Sequence, residues 1–236
     1  MTTRVASHTN ICVLALGLLL SFGVSAQAEM WYGPTSYIQF SDSPFFGLIF
    51  SSSYLEDFED GLLNTPGVSV AGGSIYQPTY DGVNCDSVDA DDGAIDGDNT
   101  GYLGNSWWAP GDPGITFTFD AGVLGSLPTH VGIVWTDGYG TTKFEAFDSG
   151  GTSLGFIDAG VLGVSGEYTG ETAEDRFFGV SDVGGISRIK ITTGPSSGVE
   201  VDHLQYGIAA VPLPGAALLG AIGIGYSGWR LRRRTG

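Results

Sequence analysis

Ile115-Thr116-Phe117-Thr118-Phe119 alternates apolar and hydroxyl side chains, the period of a strand with one face on a core and the other turned away. Ile186-Ser187-Arg188-Ile189-Lys190-Ile191 repeats the pattern after one slip. Outward from these two runs, short β-rich stretches recur between clusters of turn residues. Strands are expected at 36–40, 45–54, 67–76, 115–120, 131–136, 142–147, 154–158, 177–180, 186–193 and 199–206. Asp137-Gly138, Ser149-Gly150-Gly151 and Gly184-Gly185 punctuate them, the first suited to a primed hairpin turn. The interior sustains no 3.6-residue apolar period and no repeat of solenoid length, so long helices and repeat arrays are not expected. About eight to ten strands in one domain predict an all-β fold, a single jelly-roll-like β-sandwich over residues 29–208.

All 26 acidic residues fall between Glu29 and Asp202. Only Lys143, Arg176, Arg188 and Lys190 oppose them there, which leaves that span with a net charge of −22. Such a field repels nucleic acid and anionic lipid, and neither is an expected partner of the domain. The other basic residues, Arg4, Arg230, Arg232, Arg233 and Arg234, sit at the two ends.

Those ends read as addresses. Residues 1–10 are polar with one positive charge, 11–20 are apolar, and Ala26-Gln27-Ala28 places small residues at alternate positions. This is the order of a Sec signal peptide over residues 1–28, cut by signal peptidase before Glu29. An apolar run of about ten residues is too short to cross ~30 Å of hydrocarbon. The mature chain is therefore expected outside the cytoplasm. Cys12 leaves with the signal, so the lone Cys85 has no intramolecular partner and reads as a buried small apolar residue.

At the other end, residues 209–236 contain Val211-Pro212-Leu213-Pro214, an uncharged apolar run ending at Trp229, and arginines between 230 and 234. The run predicts a transmembrane helix over 213–229, with Trp229 at the interface and the arginines cytoplasmic. Paired prolines, one Gly/Ala/Leu-rich helix and a terminal arginine cluster together resemble the PEP-CTERM sorting signal. The usual motif of that family is Val-Pro-Glu-Pro; Leu213 stands here where glutamate is usual, as in a VPLP variant. The resemblance implies recognition by an exosortase at Val211, Pro212, Leu213, Pro214, Arg230, Arg232, Arg233 and Arg234. It further implies a transient stay in the inner membrane of a Gram-negative bacterium, then release to the cell surface or an exopolysaccharide matrix.

Within the domain, FEDGLLNTPG (58–67), VWTDG (134–138), FEAFD (144–148), AEDRFFG (173–179) and VEVDHLQYG (199–207) resemble a recurring secreted module of unassigned activity. Phe58-Glu59 and Val201-Asp202 also resemble the first and last strands of carbohydrate-binding jelly rolls. That likeness implies a structural calcium between Glu59 and Asp202. A second calcium candidate is the loop 86–99, where six carboxylates lie within 13 residues and glycines permit sharp folding; Asp89, Asp91 and Asp96 are its candidate ligands. Its spacing does not fit an EF-hand, and the opposing reading is a solvated acidic loop. Trp107-Trp108 is the candidate glycan contact, against the alternative that the pair caps the core. His130 and His203 lack metal-site spacing, His203 is expected to point opposite Asp202, and no residue is singled out as catalytic. The expected function is a non-enzymatic surface or matrix protein. The alternative is a carbohydrate-binding module on extracellular polysaccharide.

Overall fold

A computed structural model describes residues 29–77, 85–88, 104–163, 174–195 and 197–210. Among these residues, twelve strands form two antiparallel sheets. They are β1 (Met30–Ser36), β2 (Phe50–Glu56), β3 (Val68–Ala71), β4 (Ser74–Tyr76), β5 (Ser106–Pro110) and β6 (Ile115–Phe119), then β7 (His130–Gly138), β8 (Gly140–Asp148), β9 (Ser153–Leu162), β10 (Arg176–Ser181), β11 (Ile186–Thr192) and β12 (Gly198–Ala209). Among the described residues, helix is confined to one 3-10 turn at Phe40–Asp42 and to α1 (Ala121–Leu124). Among the described residues no helix is long and apolar enough to cross a membrane. The signal and sorting segments, 1–28 and 211–236, lie outside the described residues.

The larger sheet has the order β1-β10-β7-β12-β5-β4, with β2 also paired to β12, and the smaller is β3-β6-β11-β8-β9. Side chains alternate across each strand, so one set from each sheet meets in the middle. Ile115, Phe117 and Phe119 of β6 and Ile189 and Ile191 of β11 face Ile133 and Trp135 of β7 and Val199 and Val201 of β12. Each such burial contributes about 1.5–3 kcal/mol. The slip in the 186–191 run is a β-bulge: register against β8 shifts between Ile186 and Arg188.

Several expected strand limits are corrected, each for a local reason. The strand expected at 36–40 lies at Met30–Ser36, because Asp42 Oδ2 accepts from the Ile38 and Gln39 N–H groups and curls that stretch into a turn. The strand expected from 45 begins at Phe50, since Phe46 N and Leu48 N donate to Ser43 O and Phe45 O in consecutive turns. The single strand expected at 67–76 is two, β3 and β4, in different sheets; Gly72 and Gly73 change sheets with φ of +90° and +76°. Asp137-Gly138 is not a hairpin turn. It ends β7 of the larger sheet, and β8 starts at Gly140 in the smaller one. Residues 106–110, outside the expected strands, are β5, with Trp107 and Ala109 in the core.

The outward face of the larger sheet is not bare. Segments 37–48 and 85–88 lie over it, and Tyr37, Phe45 and Val88 pack there on Val134 and Phe177. Gly132 and Gly179 stand opposite each other on β7 and β10, and the Phe177 ring occupies the space their side chains would fill. This second, smaller core makes the outer face a place where polar groups are buried.

Candidate functional site

β12 changes partner halfway along. On one side it pairs with β7 between Val199 and Gly207; on the other, Gly198–Val201 pair with β5, and Leu204–Ala209 pair with β2. Opposite Asp202 and His203 neither β5 nor β2 is paired, and the register with β7 also slips there. His203 has φ +44°, and both it and Asp202 are buried on the outer side, so the expectation that they point oppositely is corrected. The cause is the bulge: an extra residue breaks the strict alternation of the strand. His203 Nδ1 lies 2.9 Å from Tyr37 Oη, which also accepts from Gln205 Nε2 at 2.9 Å.

Asp202 fills the break in the ladder with its own carboxylate. Oδ1 accepts from His203 N at 2.6 Å, and Oδ2 accepts from Ser87 Oγ at 2.8 Å and Val88 N at 2.9 Å. Glu59 arrives from the segment after β2. Its Oε1 accepts from Asn105 N at 2.6 Å and from Ser87 Oγ at 3.5 Å. Asn105 Nδ2 in turn donates to the carbonyls of Phe58 and Glu59 at 3.1 and 3.2 Å. Glu59 and Asp202 are thus brought to one hydroxyl. Phe58, at φ +57°, and His203 are the two non-glycine residues with left-handed φ among the described residues, and they are the immediate neighbours of Glu59 and Asp202. Such backbone costs of order 1–3 kcal/mol and persists only where the surroundings impose it.

Beside this junction lies a second group of carboxylates. Glu200 accepts from Asp86 N at 2.8 Å and from the Ser106 hydroxyl through the same Oε1. Burial pushes its carboxyl up to about 8 against those two hydrogen bonds. Asp137 stands opposite Glu200 across the β7–β12 ladder and is raised by burial. Asp86 and Asp175 are 2% and 0% exposed. Burial, then the charges of Asp175, Glu200, Asp137 and Glu174, hold the Asp86 carboxyl well above the usual range. Cys85 is buried and donates to the carbonyls of Tyr76 and Gly104, each at 3.4 Å, and burial pushes its thiol up to about 12.

Trp107 and Trp108 part ways. Trp107 sits in the core with Phe58 and Phe117 and donates Nε1 to Gly72 O at 2.9 Å. Trp108 is 39% exposed on the outer side of β5, its ring 6.2 Å from that of Tyr76 at a tilt of 36°. Trp135 is fully buried, as its apolar surroundings in sequence imply. His130 is wedged edge-on between Phe45 and Phe50, with Thr129 Oγ1 3.0 Å from Nδ1.

The candidate ligands Asp89, Asp91 and Asp96 lie outside the described residues, as do the sorting residues Val211, Pro212, Leu213, Pro214, Arg230, Arg232, Arg233 and Arg234. Among the described residues no three His, Cys, Asp or Glu groups already stand together as metal ligands. Glu200, Asp137 and Asp175 were not singled out in sequence. In Val199-Glu200-Val201-Asp202 the alternation alone assigns both acids to water, and nothing local reveals that segment 85–88 covers them. Chemically, the face offers oxygen donors for a hard cation and, at Trp108, an aromatic surface for a sugar ring. No family model, curated protein or solved structure matches the chain.

Proposed function

We propose that this is a non-enzymatic, exported protein of the cell surface or extracellular matrix, processed by signal peptidase and exosortase and associated with exopolysaccharide. The observation that carries this reading is the order of the tail: Val211-Pro212-Leu213-Pro214, an apolar run, then arginines. A plain anchor requires no paired prolines at a fixed place before its helix. The ectodomain between the two addresses is a jelly-roll-like sandwich. That finer assignment is supported by the connections, which change sheet from β6 to β7 to β8 and again from β9 through β12. Intact-mass analysis of surface-extracted protein tests the processing. The expected species starts at Glu29 and ends near Pro214. A mass that still includes residues 215–236 leaves only a bitopic anchor.

A second reading, a carbohydrate-binding module, is favoured by Trp108. A partly exposed indole beside Tyr76 suits the CH face of a sugar. Polysaccharide pull-down with wild type and Trp108→Ala separates the two. Binding that disappears in the variant supports the module; a wild-type protein that retains no glycan supports a purely structural role. Turnover of a glycan by the purified protein would overturn both.

A further inference from the structure

Residue Asp86 is held at both backbone ends. Its N–H donates to Glu200 Oε1 and its carbonyl accepts from Thr136 Oγ1, each at 2.8 Å. The side chain between these anchors is 2% exposed, and neither carboxylate oxygen has a hydrogen-bond partner. A buried, unpartnered carboxylate is costly, and four more carboxylates act on this one. Asp175 directly precedes β10, whose Arg176 pairs with Trp135, so it lies level with Thr136. Asp137 and Glu200 face each other across the adjoining ladder. Glu174, next to Asp175 in the chain, is the fourth.

The chain places almost no positive charge here. Of its four basic residues between 29 and 202, Lys143 lies in β8, and Arg188 and Lys190 lie in β11, all on the smaller sheet. Lys143 is paired with Asp158 at 4.0 Å, and Arg188 lies over the Phe147 ring. Only Arg176 belongs to the larger sheet, and its Nη1 donates to the backbone carbonyl of Asp175 at 2.8 Å. Either protons or an outside cation must offset such a cluster. Burial raises the carboxyls of Asp86, Asp137 and Glu200, and the charges of neighbouring carboxylates add to it at Asp86 and Glu200. The donors on offer are hard oxygens from separate segments: a loop, two strands and a strand entry. A large, geometrically tolerant ion suits them better than Mg²⁺, which demands a near-ideal octahedron and sheds water reluctantly.

We propose that Asp86, Asp137, Asp175 and Glu200 hold a calcium ion on the outer face of the larger sheet, pinning segment 85–88 to β7, β10 and β12. This site is separate from the Glu59–Asp202 junction, whose carboxylates meet N–H and O–H donors of the protein. Ligation draws the Asp86 and Asp175 oxygens together by side-chain rotation, since the Asp86 backbone is already fixed.

The test uses the mature protein, stripped with EGTA and titrated with CaCl₂ at constant ionic strength, with MgCl₂ and NaCl as controls. Calorimetric titration and thermal melting are the readouts. The expected result is saturable calcium binding and a Tm rise of about 5–10 °C at a hundredfold excess over the dissociation constant. Asp86→Asn is nearly isosteric and removes one of the repelling charges. It melts higher than wild type in EGTA and loses the calcium-induced rise. Opposite signs in two conditions distinguish a lost ligand from a damaged fold. Glu59→Gln keeps the rise. A wild-type melt indifferent to calcium, or a rise kept by Asp86→Asn, overturns the proposal. A rise lost in Glu59→Gln but kept in Asp86→Asn also overturns it, and moves the ion to the neighbouring junction.

Discussion

Glu59 and Asp202, from the segment after β2 and from β12, accept hydrogen bonds from one group: Ser87 Oγ lies 2.8 Å from Asp202 Oδ2 and 3.5 Å from Glu59 Oε1. Ser87→Ala therefore removes an O–H donor from two carboxylates at once, one of them fully buried. The expected loss is about 1–3 kcal/mol of unfolding free energy. Urea unfolding measures it against Ser69→Ala, whose exposed hydroxyl makes a single 3.5 Å contact and whose loss is expected to stay within about 0.5 kcal/mol.

Adjacent tryptophans respond in opposite ways. Trp107→Ala empties a site between Phe58 and Phe117 and costs about 3–5 kcal/mol. Trp108→Ala removes a half-accessible ring and is expected to cost less than half as much, while it abolishes retention on polysaccharide if the binding reading holds. Denaturant midpoints and pull-downs on both variants check the contrast. Equal stability losses would place both rings in the core.

Cys85 is expected to be inert in the folded protein. The thiolate is the reactive species, and burial, with Glu200 next, pushes this thiol up to about 12. A thiol-reactive dye at pH 8 should label it only as fast as the protein opens, and completely in 6 M guanidinium. Stoichiometric labelling within seconds under native conditions would contradict the geometry.

His130 supplies a pH signature. Burial between Phe45 and Phe50 lowers its pKa from 6.5, so the folded state binds the proton less readily than the unfolded chain. Its contribution is present above the unfolded value and is lost as pH falls through 6.5 toward the lower folded value. Between pH 7.5 and 5.5, wild type should lose stability relative to His130→Gln. Parallel melting curves for the two proteins across that range would refute it.

The all-β class was legible because Ile115–Phe119 and Ile186–Thr192 carry the strand period in their own residues. Strand ends were less so. Asp42 turns 38–40 with a side chain, and Gly72-Gly73 change sheets, which β-propensity does not register. The meeting of Glu59 with Asp202 was implied by likeness, but the Ser87 hydroxyl between them was not. Asp86, Asp137, Asp175 and Glu200 stayed hidden because burial of an outward face depends on segments far away in sequence. Asp86 is covered in place by bonds to Thr136 and Glu200, which no local pattern announces.

β12 is the last strand in the chain among the described residues, yet it sits between β7 on one side and β5 and β2 on the other. A ribosome delivers it after every neighbour. Until residues 198–209 emerge, β7, β5 and β2 each present an unpaired edge, and the two halves of the larger sheet have nothing to join them. The domain therefore closes from its final strand, late and all at once. Any product cut short before Gly198 is therefore a candidate for aggregation rather than partial function.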